Sequence, residues 1–200
     1  MNRHLTDGVV LLRPPDDADV DAITLACQDP EIEAWVSTPV PYERRHAEWF
    51  VESMVGPGWE TGRDLVWSIR DPADDRLLGM VGLHGIADGS GELGYWMAPW
   101  GRARGAMSRA VTLVVDHALD PAGVDLVRLQ WLAYVGNWPS RRVAWRAGFR
   151  VEGTLRLHAV QRPGVRRDDW IGSLLRGDPR EPNEPWPAEA PADGRAVRPA

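Results

Sequence analysis

The chain has 200 residues, 44% of them apolar, with 23 basic and 29 acidic side chains and a net charge of −6. That length and composition bound one packed domain, or one domain with a tail, and the acidic balance argues against broad attraction to nucleic acid while suiting a cationic amine. A single cysteine, Cys27, excludes an internal disulfide and fits a reducing cytoplasm, and no run approaches the ~18 apolar residues of a membrane span.

In chain order, "GVVLLR" (8–13) reads as a strand stopped by Pro14 and Pro15. The N-terminal stretch lacks the apolar core of a signal peptide. "DDADVDAITLACQDPEIEAWV" reads as helical, with acids at its dipole-favoured start and an interruption at Pro30. Cys27 on it reads as a small buried hydrophobe rather than a reactive thiol. "YERRHAEWFVESMV" (42–55) predicts a second amphipathic helix with Trp49, Phe50 and Met54 on one side, and "GPGWETGR" reads as a loop. Strands follow at 65–71, 76–86 and 92–98, then a helix from residue 105, a strand at 125–134 and a short helix at 139–148 capped by Gly148. "FRVEGTLRLHAVQ" and "DDWIGSLL" (168–175) supply the last strands. The expected domain spans 1–176. Residues 177–200 hold six prolines and few large apolar residues, and their composition predicts a flexible tail.

"GSGELG" (89–94) matches the dinucleotide-binding glycine pattern, but "YWMAP" follows where a helix would have to open. Pro99 and the aromatics favour a strand, so a hairpin turn explains these glycines better. The segment "PWGRARGAMSRAVTLVVDH" (99–117) differs. Met107, Ala110, Val111, Val114, Val115, Ala118 and Leu119 form the stripe of a helix packed on a sheet. Its mouth is small and basic: Gly105 and Ala106 let a ligand approach the backbone, and Arg102 and Arg104 add positive charge. Unpaired N–H groups and the dipole make such a mouth an anion seat suited to phosphate; a solvated, Arg-flanked helix start is the plain alternative.

These residues carry a resemblance. "GRARGAMSRAV" after the aromatic strand "ELGYWMAP" is similar to the R/Q-x-x-G-x-G/A segment of the GNAT acyltransferase superfamily. Arg102, Gly105 and Met107 take its first, fourth and sixth places, and Met107 departs from the small residue usual there. "NWPSRRVAWRAGFRVEGTLR" (137–156) resembles a block of the branch that acetylates ribosomal-protein N-termini, through Asn137, Ser140, Gly148, Phe149, Glu152 and Gly153. "RRDDWIGSLL" resembles that branch's closing strand, with Asp168 in the expected place. The resemblance covers about residues 7 to 176. It implies an α/β GNAT fold, a mixed and strongly twisted sheet of about seven strands split into a V with helices on both faces. It implies acetyl-CoA as co-substrate and no metal. Arg102, Ala103, Arg104, Gly105, Ala106, Met107 and Ser108 would cradle the pyrophosphate, and the backbone of Trp96, Met97 and Ala98 would pair with the pantetheine arm.

The implied reaction moves an acetyl group from a thioester to a neutral amine. A lysine amine (pKa ~10.4) is mostly charged at pH 7, whereas an α-amine near ~8 is neutral in about one molecule in ten. A base is therefore useful, and the resemblance places Glu92 in that role; a turn-flanking surface Glu is the alternative. Glu92, Gly94 and Trp96 share one strand face. His84 has a suitable unperturbed pKa but also reads as a structural histidine. Asp168 either helps to hold the amine or is structural. Ser140 either assists the departing thiolate, as the resemblance implies, or caps its helix, and Asn137 either bonds the pantetheine or is that cap. Trp35, Trp49 and Trp59 lie near the N-terminal helices that wall the acceptor site in this family, where a cation–π contact is available. Trp67, Trp131 and Trp170 read as core, and Trp138 and Trp145 as flanking the coenzyme. The expected enzyme is a cytoplasmic N-acetyltransferase acting on a protein or peptide N-terminus, with no nucleic-acid or membrane partner and homodimers common among its relatives. A small-molecule amine acetyltransferase and a non-catalytic acyl-CoA sensor are the alternatives.

Overall fold

The computed structural model describes residues 3–197; the expected domain's residues 1–2 and the expected tail's residues 198–200 lie outside the described residues. The elements are β1 (Leu5–Thr6), β2 (Leu11–Arg13), α1 (Val20–Cys27), α2 (Pro30–Trp35), α3 (Arg44–Trp49), α4 (Gly56–Thr61), β3 (Leu65–Arg70), β4 (Leu77–Ala87), β5 (Ser90–Met97), α5 (Ala106–Leu119), β6 (Arg128–Tyr134), α6 (Trp138–Arg146), β7 (Arg150–Arg162) and β8 (Val165–Leu175). The sheet has eight strands where about seven were expected, in the order β1-β2-β3-β4-β5-β6-β8-β7. Every neighbouring pair is antiparallel except β5 and β6, which run parallel. The sheet is therefore mixed, and helices flank it.

The glycine-rich match is the β4–β5 hairpin. Ala87 faces Ser90 across a two-residue turn. Asp88 and Gly89 both have positive φ, 50° and 71°, the Asp-Gly chemistry of a turn whose twist suits a hairpin. No helix opens there, so these glycines serve the turn.

The stripe on α5 is buried as its spacing predicts, from Met107 through Leu119. Trp67 and Trp131 are buried on their strands, and Trp170 nearly so. Two N-terminal segments differ from the sequence reading. "GPGWET" forms α4 rather than a loop, continuing the helical run without a break, with the Gly56 N–H bonded back to the Val51 carbonyl and Pro57 as its second residue. Trp59 holds it to the sheet: its ring is buried, its Nε1 donates to the Val66 carbonyl at 3.1 Å, and it meets Trp67 edge-on at 4.9 Å. Phe50–Val55 is a π-helical turn between α3 and α4. The wider turn shifts the faces that follow it, and Trp49 stays 58% exposed.

Asp19 and Arg70, both buried, form an ion pair that also engages Arg13 and Asp75. It ties the chain before α1 to β3.

Residues 178–197 form no helix or strand, yet they lie along α6. Trp186 packs edge-on to Trp145 at 5.3 Å and Trp138 at 6.0 Å, under the Arg142 guanidinium. Trp145 donates to the Glu184 carbonyl and Asn183 to that of Gly148. Trp138 and Trp145 thus carry the tail.

Candidate active site

Strands β5 and β6 pair only from Ser90–Arg128 to Leu93–Trp131. Beyond that point β5 continues beside β4 to Met97 and β6 beside β8 to Tyr134. The two strands therefore part, and their facing edges open a cleft in the sheet. Three sets of residues meet around it.

The first set is the mouth of α5. Gly105 is its N-cap at φ 72°, with no side-chain cap, and Ala103 also adopts positive φ, 63°. A loop that visits the left-handed region gathers N–H groups into an anion-binding concavity, and a helix start leaves its first donors unpaired. No atom lies within 4 Å of where a Gly105 Cβ would sit, so the mouth is open. Met107 turns its side chain into the core, 9% exposed, and so leaves the loop slim despite its size. Arg104 is exposed and Ser108 half-buried. Arg102 instead bonds Asp29, whose carboxylate also caps α2 through the N–H groups of Glu31 and Ile32. The cradle loop is thereby tied to the helix that carries Trp35. A pyrophosphate fits this open, donor-rich and locally basic mouth.

The second set lines the α6 side of the cleft. Asn137 Oδ1 accepts from the Ser140 N–H at 3.2 Å, so Asn137 caps α6. That frees the Ser140 hydroxyl, which receives the Trp131 indole N–H at 3.1 Å and donates to the Tyr95 oxygen at 3.2 Å. Tyr95 donates in turn to the Ser140 carbonyl at 2.9 Å. Burial pushes the Tyr95 phenol well above its ordinary range and keeps it protonated. Ala98 has both backbone groups engaged, its N–H with Leu78 and its carbonyl with Gly101. Trp96 and Met97 remain on the parting edge of β5.

The third set lies on the opposite face. Glu92 on β5 stands between His84 on β4 and Gln130 on β6. Burial raises its carboxyl pKa, opposed by His84 and by a hydrogen bond from Gln130. His84 rests over paired glycines: a Cβ at Gly82 would come 2.8 Å from its Nε2, and one at Gly94 3.4 Å. Its Nδ1 is 3.3 Å from Asp64. Asp169, 3% exposed, sits opposite Tyr134 and receives His158 at 2.8 Å. Burial raises the Asp169 pKa too.

Asp168 points elsewhere: it accepts the Leu157 N–H at 2.7 Å, a structural contact at the β7 bulge. Its neighbour Asp169 joins Glu92, and strand parity carries that signal. Trp170 packs on Trp138 of α6, so Asp169 must face the other way. Tyr95 and Gln130 also escaped the sequence reading, although Tyr95 is two residues from buried Leu93 and Gln130 faces Glu92. Of the three N-terminal tryptophans, Trp35 alone lines the cavity of about 240 Å³ beside Tyr134, Gln161, Arg162 and Arg167. Trp49 is exposed on α3 and Trp59 is core. Burial pushes the Cys27 thiol up to about 12, which makes it inert as a nucleophile. Among the described residues, no cluster of potential metal ligands is present and no helix is long and apolar enough to cross a membrane.

Comparison with known proteins agrees with this architecture. The acetyltransferase (GNAT) domain family matches residues 10–150. The chain is 25% identical over 174 residues to the uncharacterized N-acetyltransferase YoaA of Bacillus subtilis, covering 86% of this chain and 95% of that protein. Mycobacterium smegmatis RimJ, solved with CoA-disulfide, superposes with a TM-score of 0.73 at 26% identity, covering 86% and 84% of the two chains. RimL, a ribosomal L7/L12 alpha-N-protein acetyltransferase solved with coenzyme A, shares the fold at a TM-score of 0.74 and 18% identity, covering 84% and 94%. With its V-split mixed sheet and the domain match over most of its length, the chain belongs to the GNAT acetyltransferase family.

Proposed function

We propose that the protein transfers the acetyl group of acetyl-CoA to the N-terminal α-amine of a protein or peptide. The observation that carries this reading is the cleft itself. At the point where β5 and β6 part, half-buried Glu92 stands on one face and the Tyr95–Ser140 hydroxyl pair on the other. Acetyl-CoA supplies the activated acyl group; its diphosphate would lie at the mouth formed by Arg102, Ala103, Arg104, Gly105, Ala106, Met107 and Ser108. Glu92 accepts the proton that the amine loses on attack, directly or through water, and a carboxylate whose pKa is raised toward neutrality is the more effective base. Ser140, positioned by Trp131 and by Tyr95, whose own proton stays on the Ser140 carbonyl, turns its hydroxyl proton from the Tyr95 oxygen to the departing sulfur. Asp169 and His84 hold the amine near Glu92. The 137–156 block and the 34% identity over 105 residues to the putative ribosomal N-acetyltransferase YdaF of Bacillus subtilis support a peptide terminus as acceptor.

The test is mass spectrometry after incubation with acetyl-CoA and a mixed library of peptides and amine metabolites. The proposal expects a gain of one acetyl mass on peptide α-amines. Acetylation confined to metabolite amines would transfer the same site to the small-molecule reading.

A further inference from the structure

The acceptor cavity is walled by a basic stretch of the chain. Between Gly153 and Arg167 the chain carries four arginines, one histidine and no carboxylate, in a protein of net charge −6. The β7–β8 hairpin brings Arg162 and Arg167 to the cavity wall, with Arg166 exposed between them. The partners of these groups decide what the wall can offer. Gln161 spends its amide N–H on the Ala34 carbonyl at 2.8 Å, and its oxygen accepts from Arg167 Nε at 2.9 Å. Arg162 meets Glu33 at 2.7 Å on the α2 side. Arg166 bonds backbone carbonyls of β7. The Trp35 indole N–H, on the same wall, is buried with no hydrogen-bond partner among the described residues. The Gln161 oxygen is thus spent, while the Trp35 indole N–H is unpartnered and Arg162 and Arg167 each engage a side chain through one nitrogen, with donor capacity left. No carboxylate lines it; those of Asp169 and Glu92 lie further in, beyond Tyr134. The site is acidic at its inner end and cationic at its rim.

We propose that this cavity selects acidic peptide N-termini: the amine goes inward to Glu92 and Asp169, and a carboxylate side chain within the next few residues lies against Arg162 and Arg167. This rests on the peptide-terminus reading above and adds the acceptor's charge. A peptide fits better than a small zwitterion because the cationic wall continues outward along an exposed hairpin rather than closing over the cavity. Glu33 offsets Arg162, and Asp168 keeps its charge while accepting the Leu157 N–H, so Arg167, bonded to the neutral Gln161 amide, supplies the main cationic contact.

The experiment compares kcat/KM, at low and at physiological salt, for two peptides of identical N-terminal residue. One carries Asp and Glu at its second and third positions and the other Asn and Gln; free aspartate is a third acceptor. The proposal expects the acidic peptide to be preferred about tenfold at low salt and less at high salt, because exposed charges are screened. In Arg162→Gln/Arg167→Gln the preference falls toward unity, and Arg167→Lys keeps part of it. Circular dichroism and a thermal melt confirm that the variants fold. Equal rates on the two peptides would overturn the charge inference and leave the peptide-terminus reading intact. Turnover of free aspartate with neither peptide accepted would overturn both.

Discussion

The two ends of the cleft are built in opposite ways. The proposed coenzyme end is local: one loop and the first turn of α5, seven consecutive residues from Arg102 to Ser108, would make the anion seat. The proposed acceptor end is assembled from afar. Trp35 comes from α2, His84 from β4, Glu92 from β5, Tyr134 from β6, His158 from β7 and Asp169 from β8. A local site depends on a few backbone dihedrals, whereas a dispersed one depends on strand register. Substitutions at the two ends should therefore separate kinetically.

The largest separation is expected from Glu92→Gln. Loss of a general base lowers kcat by about 10²-fold or more, while KM for acetyl-CoA stays near the parent value. The pH profile sharpens this. Burial raises the Glu92 carboxyl pKa, so kcat/KM climbs with pH through a limb lying above the ordinary ~4.3 of glutamate, and Glu92→Gln removes that limb. Stability runs the other way. A raised folded-state pKa gives a contribution that is present at low pH and lost as pH rises through that pKa. The parent's melting temperature should therefore drop, relative to that of Glu92→Gln, between acid and neutral pH.

Next in size is Gly105→Glu, which forces a side chain into a left-handed residue at a strain of roughly 1–2 kcal/mol and adds a negative charge to the anion seat. KM for acetyl-CoA should rise at least about tenfold, with acceptor KM little changed. A rise in acceptor KM alone would break the comparison. Tyr95→Phe is smaller: it removes a hydroxyl bonded to Ser140, and kcat should fall severalfold with a stability loss of about 1 kcal/mol. Trp186→Ala should act on neither end. It deletes two aromatic contacts, each worth about 0.5–1.5 kcal/mol, and a lower melting temperature with kinetic constants kept would show it.

The same contrast explains what the sequence discloses. The α5 stripe, the Asp88–Gly89 hairpin and the cradle motif are local patterns, and their periodicity or turn chemistry is visible in a few residues. The Asn137 cap and the Ser140 hydroxyl could not be apportioned from sequence, because the choice depends on Tyr95 and Trp131 arriving from other strands. "GPGWET" looks like a loop by composition, and burial of Trp59 overrides it. The π-helical turn breaks the 3.6-residue period on which the grouping of Trp49 with Phe50 and Met54 relied. Asp168 and Asp169 are adjacent acids, and only strand parity separates the one at a bulge from the one beside Glu92. The tail's composition speaks of disorder, yet one tryptophan finds an aromatic and arginine-lined seat on α6.

The central claim is that the mouth of α5 grips the coenzyme diphosphate and so places the thioester beside Glu92. Calorimetric titration of acetyl-CoA into the parent protein and into Gly105→Glu tests it most directly. The account predicts one site per chain in the parent, with affinity lost or cut at least about tenfold in the variant. Equal affinity in the two proteins, or none in the parent, would contradict it.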